Sequence, residues 1–277
     1  MPNQIASKIN PRVIVSPRNI KLIVEYLGSG YCGWQTQNKP LALRRVDKTV
    51  SIQEALENTL HKILQEKVKI TGSGRTDSGV HAVAQVANFR TKSHLSLSNI
   101  GKAMNSLLPK DIAVRGVCEV NPDFHSRFSA KSKLYRYIIL NNPTRSVFLK
   151  DTSFFFPYRL NINLMKKESK CLIGRHDFKS FCACGSSAKN TVRTIRRVSV
   201  KKTSNPLSHI SYPLIIIDIE ADGFLYNMVR NIVGTLIEVG RGKFPPGSLK
   251  KILFAKNRKL AGPTASAKGL FLMRVFY

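Results

Sequence analysis

The sequence predicts an α+β fold built from two halves of similar layout. The first half follows the split β-α-β-β-α-β order of ferredoxin-like units. Three observations lead there. Apolar residues alternate with a period of two in several short runs, as strands with one buried face require. Other segments repeat their apolar residues every three or four positions, the spacing of amphipathic helices. The chain has 277 residues, 43% of them hydrophobic, which is enough for a substantial core.

Residues 20–26 form the first expected strand, with Ile20, Leu22, Val24 and Tyr26 on one face. Gly28-Ser29-Gly30 ends it, and Gly33-Trp34-Gln35 brings the only Trp. A basic loop over 36–50 carries Lys39, Arg44, Arg45 and Lys48 against one acid, Asp47. Ser51-Ile52-Gln53-Glu54 has capping-box spacing and starts a helix reaching about Glu66, with Ile52, Leu56, Leu60, Ile63 and Leu64 as its stripe. Residues 68–70 and 83–89 read as strands on either side of a glycine-rich loop. A helix burying Ile100, Met104, Leu107 and Leu108 ends at Pro109, and 112–120 is the next strand.

Asn121-Pro122-Asp123 marks the junction, so the chain divides into a basic tail (1–19), a first subdomain (20–121) and a second (122–277). In the second, 134–140 alternates as a strand with Tyr135, Tyr137 and Ile139 on one side. A helix over about 163–172 stops at Gly174. Residues 191–200 and 214–221 are strands joined by a polar loop containing Asn205-Pro206. The strongly apolar stretch 224–239 is a helix, 248–255 a shorter one, and 269–277 the last strand. The two halves share a layout without repeating residues.

Charge narrows the function. Lys and Arg number 45 against 16 Asp and Glu, a net charge of +29. No acid occurs between Asp177 and Asp218, nor after Glu238. A surface charged only for solubility would mix its signs, so this patchiness points to a nucleic-acid partner. No long basic amphipathic helix or lipidation signal supports a membrane surface instead, and no run is long and apolar enough to span one. Five cysteines, odd in number and unevenly spaced, suit a reducing cytoplasm better than a disulfide framework. The tail, with Lys8, Arg12 and Arg18, reads either as a transit peptide or as an RNA-contacting segment.

The candidate chemistry gathers in Gly72-Ser73-Gly74-Arg75-Thr76-Asp77-Ser78-Gly79-Val80-His81. Glycine permits tight turns and close approach to a ligand. Three familiar sites fit poorly. Cys171, His176, Cys182 and Cys184 lack the paired spacing of structural zinc. Gly74 and Gly79 have P-loop separation, but Val80-His81 replaces Lys-Ser/Thr. No Gly-x-Ser-x-Gly elbow exposes Ser78 for hydrolysis. Glu54, Glu57, Glu66, Glu168 and Glu238 fall on expected helices, and Glu25, Asp218 and Glu220 on expected strands. Asp77 alone is framed by glycines on a loop, where it can act as nucleophile or base without a metal.

Arg230 lies inside the most apolar helix. Either it snorkels to the surface, or it is buried and needs an anionic partner. Paired with Asp77, it would lower that acid's pKa. Gly234, one turn on, leaves room for close packing. Tyr135 and Tyr137 are either core residues or platforms for an unpaired base. His81, His125 and His176 read as structural hydrogen-bonding groups.

Gly74-Arg75-Thr76-Asp77-Ser78-Gly79-Val80-His81-Ala82, followed by Gln85-Val86 and Phe89, resembles the signature of the bacterial tRNA pseudouridine synthase A (TruA) family. Further motifs agree in order: residues 31–35, 51–53, 124–130, 133–137, 174–178, 193–195, 224–230 with 233–234, and 267–270. The resemblance runs from about Ile20 to Tyr277.

It implies the pseudouridine synthase fold, two ferredoxin-like halves sharing a mostly antiparallel mixed sheet with helices on the outer face. It implies isomerisation of uridine to pseudouridine at positions 38, 39 and 40 of the tRNA anticodon stem-loop, by a homodimer, without cofactor or metal. Asp77 is the implied nucleophile, Tyr135 the residue that stacks on the target base, Arg75 an RNA contact near the flipped nucleotide, and Arg230 the ionic partner of Asp77. Attack on ribose C1′, attack on base C6 and removal of a ribose proton all suit Asp77. A related synthase acting at other RNA sites and a non-catalytic RNA-binding protein are the alternative readings.

Overall fold

Alternation alone accounts for the first strand. In β1 (Arg18–Tyr26), Ile20, Leu22, Val24 and Tyr26 are buried, while Lys21, Ile23 and Glu25 between them are partly exposed. A computed structural model describes residues 17–36, 50–185, 188–207 and 210–277 of the chain. The tail up to residue 16 and the cations Lys39, Arg44, Arg45 and Lys48 of the basic loop lie outside the described residues.

The helix α1 (Ile52–Leu64) starts where the capping pattern places it, with the Glu54 N–H donating to Ser51 Oγ at 3.1 Å. Its next free amides are satisfied by the motif before it: Ile52 N–H donates to Gly33 O and Gln53 N–H to Trp34 O. The strand expected at 68–70 does not form. The Ile70 N–H is taken by Glu57 Oε1 at 2.8 Å, so pairing is delayed to the two-residue β2 (Thr71–Gly72). β3 (His81–Thr91) follows the loop, then α2 (Leu97–Leu107) and β4 (Ile112–Val120). Ile100, Met104 and Leu108 are buried as expected, but Leu107, the last residue of α2, is 54% exposed.

In the second half come β5 (Ser132–Leu140), the short β6 (Phe154–Phe155), α3 (Ile162–Ser169) with a 3-10 turn to Leu172, and β7 (Gly174–Asp177). β7 was not expected: Gly-Arg-His-Asp has no apolar alternation to reveal it. β8 (Val192–Leu207) and β9 (Ile210–Ala221) form one long hairpin whose register runs to Leu207↔Ile210. The expected polar loop at Asn205-Pro206 is therefore strand. α4 (Met228–Gly240) begins four residues later than expected, since Asn227 takes a left-handed conformation (φ 58°) that a helix interior does not admit. α5 (Ser248–Ala255) and β10 (Leu270–Phe276) complete the chain.

All strands join one sheet in the order β4-β1-β3-β10-β5-β9-β8-β7, with β2 on β3 and β6 on β5. The first half reads β4-β1-β3-β2 and the second β10-β5-β9-β8, the same ferredoxin-like order twice. Pairing is antiparallel except at β10–β3 and β5–β6. The C-terminal strand β10 thus joins the two halves at mid-sheet. The buried strand face carries Leu22, Tyr137, Ile217 and Ile219, and it shares one apolar core with Leu56, Met104, Ile232 and Leu236 of the helices.

Candidate active site

The β3 edge holds two neighbours at once. β2 pairs at Thr71↔Asn88 and Gly72↔Ala87, and β10 pairs at Phe271↔His81 and Leu272↔Ala82. The glycine-rich loop lies in the fork between them. It is tied to the β3 edge by Ser73 N–H to Val86 O (2.7 Å), Ser73 Oγ to Gln85 Oε1 (2.6 Å), and Gln85 Nε2 to Gly74 O (2.9 Å). Gly79 takes φ +81°, and Val80 N–H closes the turn onto Asp77 O at 3.1 Å.

The other side of the loop rests on residues 31–34. Trp34 N–H donates to Thr76 O at 3.0 Å, Ser78 Oγ donates to Tyr31 O at 3.0 Å, and Thr76 Oγ1 shares a hydrogen bond with the Tyr26 hydroxyl. A Cβ on Gly33 would stand 2.7 Å from Thr76 O, and one on Gly72 2.4 Å from the Trp34 ring. These contacts fix the backbone that presents Asp77.

Arg230 arrives from the first turn of α4. Its Nη1 lies 3.6 Å from Asp77 Oδ2, with 18% and 29% of the two side chains exposed. The guanidinium is also held by neutral acceptors, Nε donating to Ala265 O at 2.7 Å and Nη1 to Asn227 Oδ1 at 2.9 Å. Ala265 N–H returns a bond to Arg230 O at 3.1 Å. The snorkelling alternative is thereby excluded. The room beside Gly234 is filled by the same loop, since a Cβ there would meet Pro263 O at 1.7 Å.

Arg230 lowers the Asp77 pKa as expected, but the net direction is upward. Burial pushes the carboxyl above its ordinary value, and the attraction of Arg230 offsets this only in part. A carboxylate with a raised pKa is the stronger base and remains within reach of a ligand through its exposed fraction.

Tyr135, on β5 beside β10, is buried with its ring edge-on to Phe224 at 4.9 Å. Burial raises its phenol well above the ordinary tyrosine range, and the neighbouring Tyr26 and Asp77 add to the shift. Asp77, Tyr135 and Arg230 are therefore brought together from three distant parts of the chain. Arg75 is not part of that cluster: it is exposed and makes no hydrogen bond or ion pair with a described residue. Cys171, His176, Cys182 and Cys184 do not assemble into a group able to hold a metal.

The tRNA pseudouridine synthase family model matches residues 22–129 and 169–277. The chain belongs to the TruA family of tRNA pseudouridine synthases. It is 46% identical over 260 residues to tRNA pseudouridine synthase A of Clostridium botulinum (strain Eklund 17B / Type B), covering 94% of this chain and 100% of that relative. It is 42% identical, with the same coverage, to the protein of that name from Thermoanaerobacter sp. (strain X514). Asp77, Arg75 and Arg230 lie within the matched family segments, whereas Tyr135 falls between them.

The synthase motifs also hold the residues that support the site. Gly33 and Trp34 seat the Asp77 loop. His81 is fully buried, its Nδ1 accepting from Gly28 N–H and its Nε2 donating to Lys268 O, each at 3.0 Å, so it pins β3 to the turn before β10. His125 accepts from the N–H groups of Arg127 and Phe128, and His176 contacts Ile173 O. All three histidines are structural, as expected. Gly-Trp and Gly-Arg steps in the motifs were the available signal for the seat.

Proposed function

We infer that this chain isomerises uridine to pseudouridine in tRNA, and we propose uridines 38, 39 and 40 of the anticodon stem-loop as its targets. The observation that carries the reading is the Asp77 carboxylate held 3.6 Å from Arg230 at the fork of the sheet, with Tyr135 beside it. The net charge of +29 supports a polyanionic substrate.

A uracil inside a stem must leave the stack before its glycosidic bond can be reached, at a cost of a few kcal/mol. Arg75, exposed two residues from Asp77, holds the strand during extrusion. Tyr135 offers its ring to the extruded base. Asp77 then acts at C1′, at C6 or on a ribose proton. The C1′–N1 bond breaks, the uracil turns, and C1′ bonds to C5. The C5 proton is lost and N1 gains one, so the product is an isomer and no oxidant, nucleotide or metal enters the balance. Arg230 keeps the carboxylate oriented and offsets its charge.

We propose further that the enzyme acts as a homodimer in the cytoplasm. Val147 and Phe148, 66% and 71% exposed, are apolar surface of the kind an association buries. The test of activity is incubation of the full chain with unmodified tRNA transcript, followed by mapping of pseudouridine. Product at 38–40 is expected. Product elsewhere would replace the proposed sites, and a protein that binds tRNA without forming product would overturn the enzymatic reading.

A further inference from the structure

Lys133 has no place in the chemistry above, yet its position is unusual. It lies on β5 two residues before Tyr135, so both side chains leave the same face of the strand, roughly 6.8 Å apart along it. Its stem lies over the Asp77 loop: a Cβ built on Gly74 would stand 3.5 Å from Lys133 Cε and 3.6 Å from Nζ. The side chain is partly buried and makes no hydrogen bond or ion pair with a described residue. Burial and the nearby positive charge of Arg127 both disfavour its ammonium.

Arg127, by contrast, is exposed. Its guanidinium lies 5.6 Å from the Phe128 ring, which is 76% exposed, and it has no carboxylate partner among the described residues. Ser126, next to it, anchors the segment to the start of the loop through Oγ to Thr71 O at 2.6 Å. Two cations, Lys133 partly buried and Arg127 exposed, thus influence one another beside the catalytic loop, and neither pairs with an acid among the described residues. A charge withdrawn from water is normally paired, so Lys133 calls for an anion from outside the chain, which the exposed Arg127 can share.

We propose that Lys133, with Arg127, binds the phosphodiester next to the extruded uridine, one strand step from the tyrosine that receives the base. The inference rests on the reading of the chain as an RNA-modifying enzyme. Lys133 would be a substrate-positioning cation: it fixes the backbone on one side of the target while Tyr135 holds the base on the other.

The test uses the full chain and unmodified tRNA transcript. Dissociation constants are measured from low to high salt for the wild type, Lys133→Gln, Lys133→Met and Lys133→Arg, with folding checked by thermal melting. One lost phosphate contact lowers the slope of log K against log salt by about 0.7 to 0.9, which is about 5- to 8-fold in affinity at 0.1 M salt relative to 1 M. That loss is expected for the Gln and Met variants, with Arg restoring the slope. A neutral methylphosphonate beside the target uridine should weaken the wild type similarly and add nothing to Lys133→Gln. Wild-type slopes in both neutral variants would overturn the inference, as would additive losses in the methylphosphonate cycle. A wild type that forms pseudouridine while the Lys133 variants keep its slope sinks this inference alone. A wild type with no product and a flat salt response sinks the functional reading beneath it.

Discussion

Arg230 Nη1 stands 3.6 Å from Asp77 Oδ2, but the arginine is anchored by Ala265 O and Asn227 Oδ1 at shorter distances. The carboxylate is therefore offered to a pre-positioned cation rather than locked to it. One consequence is that the guanidinium stays in place when the carboxylate is engaged elsewhere. Another is that burial, not the ion pair, sets the direction of the Asp77 pKa.

Asp77→Asn should abolish pseudouridine formation, by at least about 10³-fold, while tRNA affinity is kept. It should not destabilise the fold. The Asp77 pKa is raised in the native state, so its contribution to stability is fully present below the ordinary value of 3.8 and is lost as pH rises through the native value. At pH 7 the ionised group opposes folding, and Asn removes that cost. Thermal melting at pH 7 should give a Tm equal to or above the wild type. Retained product, or a clearly lower Tm, would contradict this account.

The rate of the wild type should rise with pH along an acid limb above 3.8, as Asp77 ionises. Arg230 lowers the Asp77 pKa in part, so Arg230→Gln should move this limb to higher pH. Each unit of movement is about tenfold in rate on the acid side. The rate at neutral pH should also fall on the order of 10²-fold through lost charge stabilisation. Arg230→Lys should recover part of the limb but not the full rate, since a lysine cannot bond Ala265 O and Asn227 Oδ1 together. A pH–rate profile under single turnover reads both effects.

Much of this site was legible in the sequence, for identifiable reasons. Asp77 stood out because every other acid considered was expected within regular structure, although Glu66 lies just beyond the end of α1, and Arg230 because a cation in an apolar helix needs a partner. The sign of the Asp77 pKa was hidden, since it depends on a balance of burial and charge at distances that only the fold sets. β2 was too short to alternate, and Ile70 was diverted by Glu57 from thirteen positions away. The start of α4 turned on the left-handed Asn227 within an apolar run. Lys133 left a trace that was overlooked: it is in phase with Tyr135 and Tyr137, the buried face of β5.

Gly234→Ala should be harmful where the same change on an exposed helix gains up to about 1 kcal/mol. The new Cβ would sit 1.7 Å from Pro263 O and 2.9 Å from its carbonyl carbon, both backbone atoms. The 262–265 segment must move off α4, at a cost of about 1 to 3 kcal/mol. Ala265 moves with it and loosens Arg230. A lower Tm and a lower kcat with little change in KM are expected. A stabilised variant with full activity would mean that the loop does not position the arginine.

Tyr135 is tested by comparing ring with hydroxyl. Tyr135→Phe keeps the aromatic face and the edge-on packing on Phe224, so base stacking survives. Its rate should stay within about tenfold of the wild type if the ring serves only as a platform, since what is lost is a hydroxyl worth a neutral hydrogen bond at most. Tyr135→Leu keeps the apolar volume of the strand face but removes the π surface. Stacking is worth about 1 to 3 kcal/mol per base, so this variant should lose about 5- to 150-fold in kcat/KM with a modest change in Tm. A Phe variant as impaired as Leu would reassign the role to the hydroxyl, which burial keeps protonated and able to donate throughout the working pH range.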